Sequence, residues 1–163
     1  MNYTSYEELH ILIKSVLDDN YAVAAANIVY LEELTKKSYV IYMTQFRDIL
    51  THLSHIYELE NLFDDKTKAS VLAQLERIKG HLERIVIDSY QKICACHIKT
   101  IEDSVQAREW PAIKTQIAQQ IRDLRISKAD IASLSFKEKK TNFQKLIKYM
   151  ESIINKFQLT FSE

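Results

Sequence analysis

One glycine, Gly80, and one proline, Pro111, in 163 residues leave this chain few folds to adopt. Hairpin turns and phosphate-cradling loops place residues at positive φ, which glycine adopts at least cost. A single glycine therefore argues against Rossmann and P-loop nucleotide sites, and equally against sandwiches and barrels. The composition, 47% hydrophobic and 27% charged, suits a chain that buries one face of each helix. The expectation is an all-α protein. It is a bundle of five or six long helices, an up-down four-helix core with extra C-terminal helices, in a single domain over residues 1–163.

Apolar spacing positions the helices. Ser5-x-x-Glu8 has the form of a capping box, after which Tyr6, Leu9, Ile13 and Val16 carry a first helix to Leu17. Asp18-Asp19-Asn20 reads as a turn, with Asn20 capping a second helix over residues 21–37. The third helix has a seam of Tyr39, Tyr42, Phe46, Ile49, Leu53, Ile56 and Phe63 and ends at Asp64-Asp65. A long fourth helix runs from Thr67 to Arg108; Gly80 costs it about 1 kcal/mol against alanine without breaking it. Trp110-Pro111 opens a fifth helix that reaches Ile126. Residues 127–135 form a short helical turn and loop, and a second capping box, Ser135-x-x-Glu138, starts the last helix. No internal repeat or flexible linker is visible.

The 22 basic and 22 acidic residues cancel overall but not along the chain: residues 1–65 carry −7 and residues 66–163 carry +7. A basic surface kept for an anionic partner, an acidic layer beside a basic one, and plain solvated helix faces all fit this asymmetry. No apolar run approaches the roughly 20 residues of a membrane span. Met1–Ser5 lacks the basic and apolar regions of a signal peptide. The expected setting is cytoplasmic, without a membrane partner. Cys94 and Cys96, two apart and about 200° around a helix, are expected as reduced thiols.

Most catalytic chemistry lacks its residues. His52 and His55 are three apart, His10, His81 and His97 stand alone, and no Cys-x-x-Cys pair occurs, so no metal site and no cofactor are expected. One constellation remains. Taking Phe46 as the core direction, Arg47, Asp48, Thr51, His52 and His55 fall between about 100° and 240° around the third helix, away from its seam. A guanidinium binds phosphate, and imidazoles with pKa values near neutrality move protons. A second group, Arg77, His81, Arg84 and Asp88, shares one face of the fourth helix. Contact with an RNA backbone and intrahelical ion pairing both fit it. Lys137, Lys139, Lys140, Lys145 and Lys148 spread around the last helix and read as solvation.

Arg47-Asp48-Ile49-Leu50-Thr51-His52 fits the pattern R-x4-H with a polar second residue, and in this the chain resembles the HEPN domains. The resemblance implies a helical bundle that forms a homodimer, with Arg47 and His52 of both copies converging in a cleft. It implies metal-independent cleavage of RNA by attack of a 2′-hydroxyl on the adjacent phosphate. Arg47 and His52 would be catalytic, with Asp48 orienting them, and Thr51, His55, Arg77, His81 and Arg84 would bind substrate beside them. RNA, a second copy and an antitoxin or accessory protein are the partners implied, in a toxin or phage-defence role. The residues alone leave two other readings open: a non-catalytic helical module binding RNA, nucleotide or protein, and an unrelated helical scaffold.

Overall fold

A computed structural model describes residues 3–105, 108–127 and 130–160. Their elements are α1 (Tyr6–Thr35), α2 (Val40–Tyr57), α3 (Asp65–Ser104), α4 (Trp110–Asp123), a 3-10 turn (Ile131–Ser133) and α5 (Phe136–Thr160). The fold is all-α, and no strand occurs among the described residues. None of the helices, among those residues, is long and apolar enough to cross a membrane.

The expected turn at Asp18-Asp19-Asn20 does not form; α1 runs through it without a break. The reason lies in the phase of the apolar stripe. Leu9, Ile13, Val16, Ala24, Ile28 and Leu31 are all buried, and the stripe passes through Asn20, four residues from both Val16 and Ala24. Asp and Asn each cost at most about 0.7 kcal/mol in a helix interior. Breaking the stripe would expose several buried side chains at about 1.5–3 kcal/mol each. The helix ends where Lys36 turns left-handed (φ 55°) and donates its N–H to the Glu32 carbonyl.

Local chemistry sets the other helix ends. Ser5 Oγ accepts from the Glu8 N–H at 3.2 Å. The Glu8 carboxylate reaches back to the N–H and hydroxyl of Thr4, which hold its carboxyl below the usual range. At the start of α5, Ser135 Oγ accepts from the Glu138 N–H (3.3 Å) while Glu138 Oε2 accepts from the Ser135 N–H (2.8 Å), the reciprocal pair of a capping box. Asp64 caps rather than terminates: its Oδ2 accepts from the N–H and hydroxyl of Thr67, opening α3. With Glu58 at its C-cap, the α2 helix stops at Tyr57, short of Phe63. That ring instead packs edge-on against Tyr6, with centroids 4.8 Å apart.

The chain divides into two compact units, Met1–Val86 and Ile87–Glu163, with the division inside α3. In the first unit α1 and α2 are antiparallel, as the edge-on contact of Tyr21 with Phe46 at 5.5 Å and the shared lining of one cavity by Leu9, Ile13 and Ile56 require. Leu31, Ile56, Val71, Leu75, Ile78 and Leu82 are buried to within 1% of complete. In the second unit Tyr90 of α3 stacks on Phe143 of α5 at 6.0 Å and accepts a hydrogen bond from Gln144 Nε2. Asn142 Nδ2 donates to the Leu124 carbonyl (2.7 Å), one of the acceptors left open at the end of α4. His97 is buried with its Nε2 3.8 Å from Glu151. Both cysteines are free, and burial pushes the Cys94 thiol up to about 12.

Asn20→Ala distinguishes the continuous α1 from a broken one. In a helix interior the substitution stabilises by about 0.5 kcal/mol, whereas loss of an N-cap costs about 1 kcal/mol. Urea unfolding monitored by circular dichroism is expected to show the gain. A loss of stability would restore the turn.

Candidate functional site

The buried seam of α2 is Tyr42, Ile49 and Ile56, spaced by seven, while Phe46 and Leu53 are only half-buried. The core direction therefore lies about 60° from Phe46, towards Ile49. That rotation reorders the polar constellation. Measured from Ile49, Gln45 and His52 stand within about 60° of the core and Asp48 at about 100°. Arg47 and Thr51, at about 160° on either side, point outward.

Arg47 accordingly does not border a polar cleft with His52 within this chain. Its side chain is 74% exposed, with the guanidinium 3.7 Å from Asp48. Its neighbours on the outer face of α2 are the exposed Val40, Met43, Leu50 and Tyr57. The Thr51 hydroxyl turns back to donate to the Arg47 carbonyl.

His52 looks the other way, towards α3. The two helices are antiparallel, with His52 beside Gln74 and Gln45 beside His81. The Nδ1–H of His52 donates to Oε1 of Gln74 at 2.7 Å, and the Nδ1–H of His81 donates to Oε1 of Gln45 at 2.8 Å. Each helix thus offers a histidine to the other's glutamine. The two imidazoles meet between these bonds, their centroids 5.4 Å apart and their planes 33° from parallel. His55 stands edge-on to His52 at 6.4 Å.

Two groups that are separate in sequence are therefore one site: His52 and Asp48 of α2 with His81 and Arg84 of α3. Burial lowers the pKa of His81 most, the positive charges of His52 and Arg84 lower it further, and Asp48 opposes them. An amide oxygen only accepts, so both rings carry their proton on Nδ1. The lone pair is left on Nε2, and neither Nε2 bonds to another described residue. The pair can take up and return protons beside the guanidinium of Arg84. Arg77 and Arg84 are exposed on the same flank of α3, whereas Asp88 falls in the second unit. Among the described residues no group of three or more His, Cys, Asp or Glu is placed to hold a metal ion.

Sequence reasoning passed over Gln45 and Gln74. The signal was present as a short repeat: Gln45-Phe-Arg-Asp-Ile-Leu-Thr-His52-Leu and Gln74-Leu-Glu-Arg-Ile-Lys-Gly-His81-Leu share Q-x3-I-x2-H-L. In both copies the isoleucine, Ile49 or Ile78, is buried and the Gln and His flank it. Comparisons with protein-family models, with curated proteins and with solved structures give no match to this chain.

The electrostatics of the pair are open to measurement. In a pH titration followed by NMR, His81 is expected to titrate below 6.5, its ordinary value. Arg84→Ala should move it up and Asp48→Asn down. Because the fold resists protonation of His81, the neutral ring contributes stability above the unfolded pKa, and that stability is lost as pH falls through the lower folded value. A His81 that titrates at or above 6.5 would contradict this account.

Proposed function

We propose that the chain is a metal-independent endoribonuclease of HEPN type, with a composite active site at a homodimer interface. The observation that supports it is the His52–His81 pair, two imidazoles with centroids 5.4 Å apart, each donating Nδ1–H to a glutamine and leaving Nε2 without a described partner. Cleavage by an internal 2′-hydroxyl needs one group to remove that proton and another to protonate the departing 5′-oxygen. Two adjacent histidines fill those roles, one as base while the other is the acid. Arg84, on the same flank, would balance charge on the phosphate.

Arg47 bears on the dimer. Around α2 the arc from Arg47 to His52 spans about 140° and carries Thr51, His55 and Asp48 between its ends. A second α2 facing that polar arc across a two-fold axis would bring its Arg47 to this chain's His52. Such a nuclease would suit a toxin or phage-defence role held in check by an antitoxin. The separation of Arg47 from His52 within one chain favours a second reading, a module that binds RNA without cutting it.

Purified protein is expected to cut RNA in the presence of EDTA and to leave 2′,3′-cyclic phosphate ends. His52→Ala and His81→Ala should each slow cleavage by about 10²–10⁴-fold, and Arg47→Ala by a comparable factor if a second copy supplies it. Lys145→Ala should change only the salt dependence. RNA bound but uncut by the wild type would favour the binding module. Cleavage unaffected by both histidine variants would remove the site from the mechanism.

A further inference from the structure

The geometry that suits the histidine pair to proton transfer also suits it to a different ligand. We propose that His52 and His81 bind a divalent ion of the late first-row class (Zn²⁺, Ni²⁺ or Cu²⁺) through their Nε2 atoms, linking α2 to α3. Two imidazoles sharing a tetrahedral ion at about 2.0–2.1 Å hold their ring centres about 5.2 Å apart. The observed separation is 5.4 Å. The separation of the ring centres thus matches that of two imidazoles on one ion.

The second shell agrees with the first. A metal-bound histidine donates its other ring N–H to a carbonyl or carboxylate, which fixes the tautomer and raises the basicity of the ligating nitrogen. Gln74 and Gln45 do this for His52 and His81 respectively, at 2.7 and 2.8 Å. Because the oxygens are neutral amides, they set the tautomer without favouring the imidazolium that would repel an ion. The ligands stand on two packed helices, beside buried Ile49 and Ile78, so little order is lost when an ion arrives. Asp48 offsets the charge of Arg84 nearby. With no third protein ligand among the described residues, water fills the remaining positions. Two imidazole nitrogens favour Cu²⁺ over Ni²⁺ and Zn²⁺ in intrinsic affinity, the tetrahedral spacing suits Zn²⁺ best, and the site offers nothing to Mg²⁺ or Ca²⁺.

Calorimetric titration of the full chain with each metal chloride, in a non-coordinating buffer and without RNA, reads this directly. One Zn²⁺, Ni²⁺ or Cu²⁺ per chain is expected, and none of Mg²⁺. His52→Ala and His81→Ala should each abolish measurable binding, Gln45→Leu and Gln74→Leu should weaken it about 10–100-fold, and His10→Ala should leave it unchanged. The Cu²⁺ complex of the wild type should show two coordinated nitrogens by electron paramagnetic resonance, a readout that holds even if a histidine variant fails to fold. No heat at millimolar ion, one nitrogen instead of two, or undiminished binding by folded His52→Ala and His81→Ala would overturn the site. Because no RNA is involved, failure of the proposed cleavage and failure of the metal site are told apart.

Discussion

The antiparallel register of α2 against α3 is the constraint on which the candidate site depends. Ile49 and Ile78 are buried on facing helices, and each is flanked by a glutamine and a histidine that bond across to the other helix. Burial of each isoleucine contributes about 1.5–3 kcal/mol, against about 1 kcal/mol net for each hydrogen bond. The apolar seam therefore holds the helices together, and the polar bonds choose among registers. A slip of one residue would rotate each contact by about 100°, parting both histidines from their glutamines and burying polar groups without partners. The same register brings the imidazole centroids to 5.4 Å, so the site follows from the packing.

The choice of glutamine as the partner has a chemical consequence. A carboxylate on Nδ1 would stabilise the imidazolium and raise its pKa. An amide oxygen fixes the tautomer and leaves the charge on the ring to be decided by its other neighbours. For His81 those neighbours are burial, His52 and Arg84 on one side and Asp48 on the other. The result is a ring that favours its neutral form, the form able to act as a base or to ligate a metal ion.

What the sequence disclosed was local, and what it concealed was tertiary. The two capping boxes and the helix opened by Trp110-Pro111 depend on residues within one or two turns of each other, and they appear where spacing put them, whereas α3 stops at Ser104, four residues short of Arg108. The unbroken α1 depends on which face of residues 6–35 is buried, and turn-forming residues at 18–20 outweighed that phase when read alone. The orientation of α2 departs from its apolar spacing for a related reason. Phe46 sits at the middle of the apolar seam in sequence, yet the partners of α2 bury Tyr42, Ile49 and Ile56 more completely. A rotation of about 60° separates an Arg47–His52 cleft from the His52–His81 pair. His52 was found through R-x4-H and His81 through its own helix face, but only the register joins them.

Proton transfer and metal ligation draw on the same two lone pairs, so the two proposals constrain each other. An ion held between His52 Nε2 and His81 Nε2 leaves neither ring able to accept a proton from a 2′-hydroxyl. A phosphate seated there would meet two rings whose Nδ1 protons are already committed to Gln74 and Gln45. On these two proposals, nuclease activity of the pair would be strongest in the metal-free protein, and a bound ion would act as an inhibitor, not as a cofactor. Arg47 sharpens the distinction. Its outward position on α2 makes it irrelevant to an ion between α2 and α3, whereas phosphate chemistry with Arg47 requires a second chain. The proposed metal site would thus be complete in one copy of the protein, and the proposed composite nuclease site only in two.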